Sequence, residues 1–152
     1  MSGGTTVAVI LAATAGLAGS VQAVVMGRLG DRIGSLEALF FATVLSVVLA
    51  GAIVLVARRS LAGVGEGFGA PLWMWAGGVL GVFIVFTITY ATPKLGATAT
   101  IGLLIAGQLV MGALIDRLGL FGVEQIGLSW PRVLGIVLLA TGAALSLVKT
   151  AA

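Results

Sequence analysis

The sequence contains no cysteine and no histidine, and only 9% of its 152 residues are charged. Without thiolate and imidazole side chains the chain can form neither disulfide bonds nor the usual zinc and iron–sulfur sites, and we expect no metal and no cofactor. Soluble domains carry about 25% charged residues, whereas this chain is 60% apolar with a mean hydropathy of +1.24. The composition therefore argues against a soluble enzyme, a nucleic-acid-binding protein and a disordered chain.

Long uncharged stretches are the most abundant feature of the sequence. The charged residues delimit these stretches, because ionisable side chains are costly in hydrocarbon, and a helix needs about 20 apolar residues to cross a bilayer. Five stretches reach or approach this length, and they predict membrane-spanning helices over residues 5–27, 38–57, 71–92, 95–115 and 131–148. We predict an all-α integral membrane protein in which residues 1–152 form a single transmembrane domain.

The connections between the predicted helices hold most of the charged residues and much glycine. Segments 28–35 and 58–70 predict turns, the second of them flexible. The short link at 91–94 predicts that the third and fourth helices are antiparallel neighbours. Ser129 and Pro131 suit the N-cap and the first turn of the fifth helix.

The cations are divided equally between the two sides of the membrane if the chain crosses it five times. Arg58, Arg59, Arg117 and Arg132 lie on the side of the N-terminus, and Arg28, Arg32, Lys94 and Lys149 lie on the other side. A protein with a single orientation carries an excess of Lys and Arg in its cytoplasmic loops. The equal division indicates that both orientations are inserted, so that two identical chains can pair antiparallel, as inverted repeats do in transporters. The alternative is that eight charges are too few for the count to carry information.

Small residues recur inside the predicted helices, although a soluble helix would avoid glycine. In membranes small side chains allow two helices to approach closely. We predict a packing role for eight such residues: Gly16, Ser20, Gly77, Gly81, Gly102, Gly107, Gly135 and Gly142. On the fifth helix the stripe that ends at Ser146 favours a supporting or dimer-forming role.

Polar and aromatic side chains inside the spans are few. Gln22 and Gln108 need hydrogen-bond partners in hydrocarbon, so they either bridge helices or face a water-filled cavity. Trp73 and Trp75 begin the third span, where indole rings favour the membrane interface, and Tyr90 near its end is either an interface anchor or a cavity wall. We take these five residues as the candidate cavity or gate residues of the protein.

Threonine hydroxyl groups inside the spans need a different partner. We expect each of them to bond a carbonyl of its own helix, at Thr14, Thr87, Thr89, Thr100 and Thr141. No carboxylate lies well inside a span, so Glu37 and Asp116 at span ends are the candidates for proton coupling. The alternative is that both are solvated charges at the membrane boundary.

Several motifs recur in an order and spacing that resemble a known family. They are Trp73-x-Trp-x-Gly-Gly-x-x-Gly81, Pro93-x-Leu-Gly-Ala97, Gly107-Gln108, Asp116-x-x-Gly119 with Gly122, and Arg132-x-x-Gly135 with Gly142. Together they resemble the short, five-helix bacterial branch of the drug/metabolite transporter superfamily, long labelled a domain of unknown function. The resemblance covers nearly the whole chain and includes Gln22 and Arg28-Leu-Gly30 in the first half, where Met26 and Thr43-Val44 depart from the usual pattern.

The resemblance implies a five-helix half-transporter of the bacterial inner membrane that works as an antiparallel homodimer or with a paralogue. We expect a multi-pass protein that transports small metabolites or drug-like solutes by alternating access, with the lipid bilayer and one small solute as its other partners. The related four-helix transporters rely on a carboxylate in their first helix, which this chain lacks. The alternatives are a small dual-topology channel and a non-transporting accessory membrane protein, and in each case we expect neither enzymatic activity nor a nucleic-acid partner.

Overall fold

The computed structural model describes residues 3–148, and every regular element within this range is a helix. The elements are α1 (Gly3–Ile33), α2 (Ser35–Arg58), α3 (Ala62–Gly67), α4 (Leu72–Leu95), α5 (Ala97–Leu118) and α6 (Trp130–Leu145). A single 3-10 turn at Leu120–Gly122 follows α5. The prediction of an all-α chain is confirmed. Lys149, one of the eight cations counted above, lies outside the described residues.

Four of these helices, α1, α2, α4 and α5, are long and apolar enough to cross a membrane. The last helix, α6, has 16 residues. At about 1.5 Å per residue it is roughly 24 Å long, which is less than the hydrocarbon thickness of about 30 Å. The structure thus agrees with an integral membrane protein, and the fifth crossing stays a prediction.

The first helix continues well beyond the predicted span. Segment 28–35 was predicted to be a turn, but α1 runs to Ile33, so this prediction is wrong for most of the segment. Long charged side chains can extend into the headgroup region, and a helix therefore need not end where its apolar run ends. The helix breaks at Gly34, whose φ of +99° is left-handed and strongly favours glycine.

The connection between α4 and α5 is equally short. The predicted link at 91–94 is helical, because α4 continues through Pro93 to Leu95. Gly96 alone separates the two helices, with a φ of +85°. Both long helix pairs, α1–α2 and α4–α5, are therefore divided by one glycine in the left-handed region.

The segment between α2 and α4 is more ordered than the sequence predicted. It contains the short helix α3, and Phe68 just after it contacts the first turns of α4. The rings of Phe68 and Trp75 meet edge to face, with centroids 5.8 Å apart and an interplanar angle of 70°. Such an arrangement is favourable for aromatic pairs, and it connects this glycine-rich segment to α4.

The described chain divides into two compact units, one of residues 25–93 and the other of residues 94–148 with 3–24. In the first unit α1 and α4 approach closely at Gly30. A Cβ atom there would lie 2.7 Å from Cγ2 of Thr89, a side chain that is fully buried. In the second unit a Cβ atom at Gly102 would lie 3.0 Å from Cβ of Ala143. Small side chains thus set the helix spacing in both units, as is usual in membranes.

Among the eight predicted packing residues, Gly102 is the glycine with a close interhelical contact within the described chain. A Cβ atom would meet no atom of another element within 4 Å at Gly16, Gly77, Gly81, Gly107, Gly135 or Gly142. Ser20 bonds the Gly16 carbonyl oxygen at 3.2 Å. The packing role of these residues stays a prediction, and it would concern contacts outside the single chain.

Threonine behaves largely as predicted. The hydroxyl groups of Thr14, Thr87, Thr89 and Thr141 each donate to a carbonyl oxygen of their own helix, at 2.8 to 3.0 Å. Thr100 is the exception: its side chain is 2% exposed, and its hydroxyl oxygen has no partner in the described residues. Because this hydroxyl bonds no carbonyl group of its own helix, the prediction for Thr100 is wrong. An unpaired buried hydroxyl costs stability.

Candidate functional site

The helices α5 and α6 pack against each other and leave an open groove of about 340 Å³ between them. On each helix the lining residues recur every three or four positions and therefore share one face. They include Gln108, Gly112 and Asp116 on α5 and Arg132, Gly135 and Leu139 on α6. The volume falls in the range of small-molecule sites, which are about 300–1,000 Å³.

An ion pair closes one end of this groove. Nη2 of Arg132 donates to Oδ2 of Asp116 at 2.7 Å, joining the last turn of α5 to the first turn of α6. The side chains are 42% and 28% exposed, respectively. An ion pair with this much exposure contributes at most about 1 kcal/mol to stability, so it can open at little cost. Asp116 is thus an ion-paired carboxylate at one end of the groove, not a separate boundary charge.

The amide of Gln108 marks the other end of the groove. It lies eight positions before Asp116 on α5, which corresponds to about 12 Å along the helix axis. Within residues 3–148 this amide has no hydrogen-bond partner, although its depth in an apolar helix calls for one. The wall between the two polar ends consists of glycine, alanine, leucine and isoleucine residues. The groove is therefore apolar in the middle and polar at both ends.

The connector between α5 and α6, residues 119–129, folds back on the end of α5 and so brings Arg132 close to Asp116. The Ile126 N–H donates to the Asp116 carbonyl oxygen at 2.9 Å. The Gln125 side-chain amide donates to the Leu118 carbonyl oxygen at 3.3 Å, and its stem covers Gly119, whose φ is +62°. These bonds satisfy carbonyl groups at the C-terminus of α5, which would otherwise lack partners. They also bring the start of α6 back to the end of α5.

The other candidate residues lie outside this groove. Gln22 is exposed on α1 and does not line it. Trp73 and Tyr90 are each about half exposed on α4, and the Tyr90 ring stacks on Phe86 with centroids 6.0 Å apart. Trp75 lines a separate hollow of about 230 Å³ beside α3. The structure thus places Gln108 with charged residues in one groove, and it does not place the other four there.

A second groove of about 220 Å³ runs along a different side of the α5–α6 pair. Its lining is apolar apart from Arg117, and it includes Val110, Leu114, Leu128 and Val137. Unlike Arg132, Arg117 has no carboxylate partner in the part of the chain that is described. Arg117 is thus adjacent to Asp116 in sequence, but it lines a different groove.

Residues 3–148 contain no group of three or more Asp, Glu, His or Cys side chains that could hold a metal ion. The ion pair of Asp116 with Arg132 and the role of Gln125 are not evident from the sequence. An available signal was the presence of opposite charges at the end of one helix and the start of the next. Sixteen positions separate the two charges, however, and the sequence does not show that the connector folds back.

Comparison with known proteins finds similarity to proteins of the inner membrane. Residues 7–145 match the family described as "Putative inner membrane exporter, YdcZ". The chain is 32% identical over 133 residues to the inner membrane protein YdcZ of Escherichia coli (strain K12), covering 84% of this chain and 88% of that protein. No solved structure matches the chain. Several apolar helices and an inner-membrane relative together make it a multi-pass protein of the bacterial inner membrane. The chain belongs to the YdcZ family, which is of the drug/metabolite transporter type.

Proposed function

We propose that the chain is a half-transporter that exports small metabolites or drug-like solutes by alternating access. Two identical chains with opposite orientations would form the complete exporter, in which each provides the same set of helices. The observation that carries the proposal is the α5–α6 groove, whose ends are polar although its walls and the surrounding helices are apolar. A groove of this kind offers a solute hydrogen-bonding groups at two points in a region where lipid offers none.

Several small residues on the helix surfaces have no close neighbour within the single chain, and they support the proposal of a second copy. Gly16, Gly77 and Gly81 leave open space on the helix surface, and so does Gly142. Gaps of this kind allow another helix to approach closely, and close packing is what drives helix association in lipid. The proposal therefore assigns these glycines to contacts between the two chains.

The balance of cations supports the opposite orientation of that copy. With five crossings, four Lys or Arg residues lie on each side, so the distribution of charge favours neither insertion direction. A two-fold axis in the membrane plane then relates the two chains, as it relates inverted repeats in many transporters. A paralogue of opposite orientation could occupy the same position.

Rocking of one chain against the other would expose the solute path to each side in turn. The weak Asp116–Arg132 pair can open and close in each cycle, since its exposure limits its strength to about 1 kcal/mol. Gln108 would hydrogen-bond the solute once its surroundings exclude water. Gln22, Trp73, Trp75 and Tyr90 remain candidates for the walls or gates that the second chain completes.

The proposal is tested with proteoliposomes loaded with a small-molecule extract of bacterial cells. Mass spectrometry of the external medium identifies solutes that leave faster than from protein-free vesicles. We expect saturable efflux of a few solutes, and slower efflux with Gln108→Ala. Export would be refuted if no solute left faster than from empty vesicles. Conductance that rises linearly with voltage would favour the channel, and binding to a second membrane protein without flux would favour an accessory role.

A further inference from the structure

The charges of the α5–α6 groove sum to zero. One carboxylate, one guanidinium group and one neutral amide line it, from Asp116, Arg132 and Gln108. A solute carboxylate that takes Arg132 away from Asp116 leaves the aspartate unpaired, and a solute ammonium group leaves the arginine unpaired. A solute that carries both charges leaves neither unpaired. The groove therefore matches a zwitterion better than an anion or a cation.

Replacement of the Asp116–Arg132 ion pair by a bound zwitterion is favourable, because one weak contact is lost and two new contacts form. The pair is partly solvated, with side-chain exposures of 42% and 28%, so opening it costs little. The incoming ammonium and carboxylate groups would each form a charge-assisted hydrogen bond, which is strong once the solute and the second chain exclude water from the groove. The guanidinium of Arg132 can also bind a carboxylate through two parallel N–H groups.

The length of the groove limits the size of this solute. The rise between Gln108 and Asp116 is about 12 Å. Hydrogen bonds of about 2.8 Å at the two ends leave roughly 6 Å for the solute body. That body would lie against Gly112, Gly135 and Leu139, so it must be apolar. An acyl chain would place hydrocarbon against the Gln108 amide, which argues for a short solute with a polar far end over a lipid.

We propose that this groove binds a zwitterionic amphipathic solute of the α-amino-acid kind. Its ammonium group donates to the Asp116 carboxylate, and its carboxylate accepts from the Arg132 guanidinium. Its apolar side chain follows the groove and ends in a hydrogen-bonding group at Gln108. The inference rests on the proposed export function and specifies the chemical class of the solute.

The first test compares three probes that share one body and differ in charge. L-tyrosine is the zwitterion, tyrosinamide at mildly acidic pH is the cation, and N-acetyltyrosine is the anion. Calorimetry on the full-length protein in lipid nanodiscs measures the Kd of each probe. We expect tyrosine to bind at least about tenfold more tightly than either charged analogue, because it alone satisfies both groups. This comparison needs no variant and so does not depend on the folding of one.

The second test reverses the preference. Asp116→Asn leaves Arg132 as the one charge of the groove, so N-acetyltyrosine should become the tightest ligand. Arg132→Gln leaves Asp116, so tyrosinamide should become the tightest. Arg117→Gln is the matched control, because Arg117 lies next to Asp116 in sequence but lines the other groove. Gln108→Leu should remove any preference for tyrosine over phenylalanine.

The inference is overturned if a charged analogue binds wild type as tightly as tyrosine, if none of the three probes binds, or if the two groove variants keep the wild-type order. The proposed export function fails separately. Tyrosine binding with the expected order, but without efflux of any solute from proteoliposomes, would retain the site and refute export. Efflux of cations or anions at the rates of zwitterions would retain export and refute the site.

Discussion

Substitution of Gly30 by alanine tests the close contact between α1 and α4. The new Cβ atom would lie 2.7 Å from Cγ2 of Thr89, which is fully buried and cannot move away easily. Overpacking of this kind costs about 1–3 kcal/mol. Alanine has a higher helix propensity than glycine by about 1 kcal/mol, which offsets part of this cost. A separation below 3.0 Å forces neighbouring atoms to shift, so the cost should lie in the upper part of this range, about 2–3 kcal/mol. We therefore expect Gly30→Ala to lower the free energy of unfolding by a net amount of about 1–2 kcal/mol.

The same contact predicts a rescue. Thr89→Ser removes Cγ2 but keeps the hydroxyl group, which donates to the Val85 carbonyl oxygen at 2.8 Å. On its own it deletes one buried methyl group, at a cost of about 1 kcal/mol. In the double variant the new alanine occupies the space of that methyl group. The double variant should therefore be more stable than the sum of the two single effects predicts.

Equilibrium unfolding in mixed SDS and mild-detergent micelles, followed by circular dichroism, measures these differences. Gly19→Ala is the matched control, because it lies on the same helix and its Cβ atom would meet nothing within 4 Å. It should be neutral or slightly stabilising in the single chain. Wild-type stability of Gly30→Ala, or a double variant with strictly additive losses, would refute the packing argument.

Three further predictions concern single positions. Thr100→Val should stabilise the protein by about 1 kcal/mol, because it replaces an unpaired buried hydroxyl with a methyl group. Thr89→Val should destabilise the protein, because the hydroxyl that it removes forms a hydrogen bond. Equal changes in the unfolding free energy of the two variants would contradict this. Gly96→Ala should destabilise by about 1–3 kcal/mol, since the backbone of Gly96 has a φ of +85° and a ψ of +158°, a region that is essentially restricted to glycine, and an unchanged unfolding midpoint would contradict this. Asp116→Asn should change the unfolding free energy by less than about 1 kcal/mol, because its pair with Arg132 is partly solvated, and a larger loss would mean that the pair is structural.

The sequence predicts which segments are helical but not where the helices end. Hydropathy marks the part of a helix that lipid surrounds, and the charged end of α1 lies outside that part while remaining helical to Ile33. The breaks at Gly34 and Gly96 depend on positive φ angles, which among the other glycines only Gly119 and Gly122 share. Composition therefore locates the spans, and the backbone conformation of a few glycines decides where helices end.

The candidate site was only partly predictable for a related reason. Gln108 stands out because a primary amide is unusual in an apolar helix. The Asp116–Arg132 pair depends on a connector that folds back through the Ile126 N–H, and such a path is set by tertiary contacts. Thr100 shows the limit of local rules, since its hydroxyl could bond its own helix and does not. The chemistry of the groove thus became visible only with the structure.

The orientation of the chain in the membrane tests the central proposal most directly. The native chain has no cysteine, so Leu95→Cys at the end of α4 and Glu124→Cys after α5 each supply one labelling site, and the two sites lie on opposite sides if α5 crosses the membrane. A membrane-impermeant maleimide is applied to intact spheroplasts and then to lysed ones. Two opposite orientations predict that each cysteine is labelled in part from outside and completely after lysis. Complete labelling of one cysteine and none of the other from outside would contradict an antiparallel pair of identical chains.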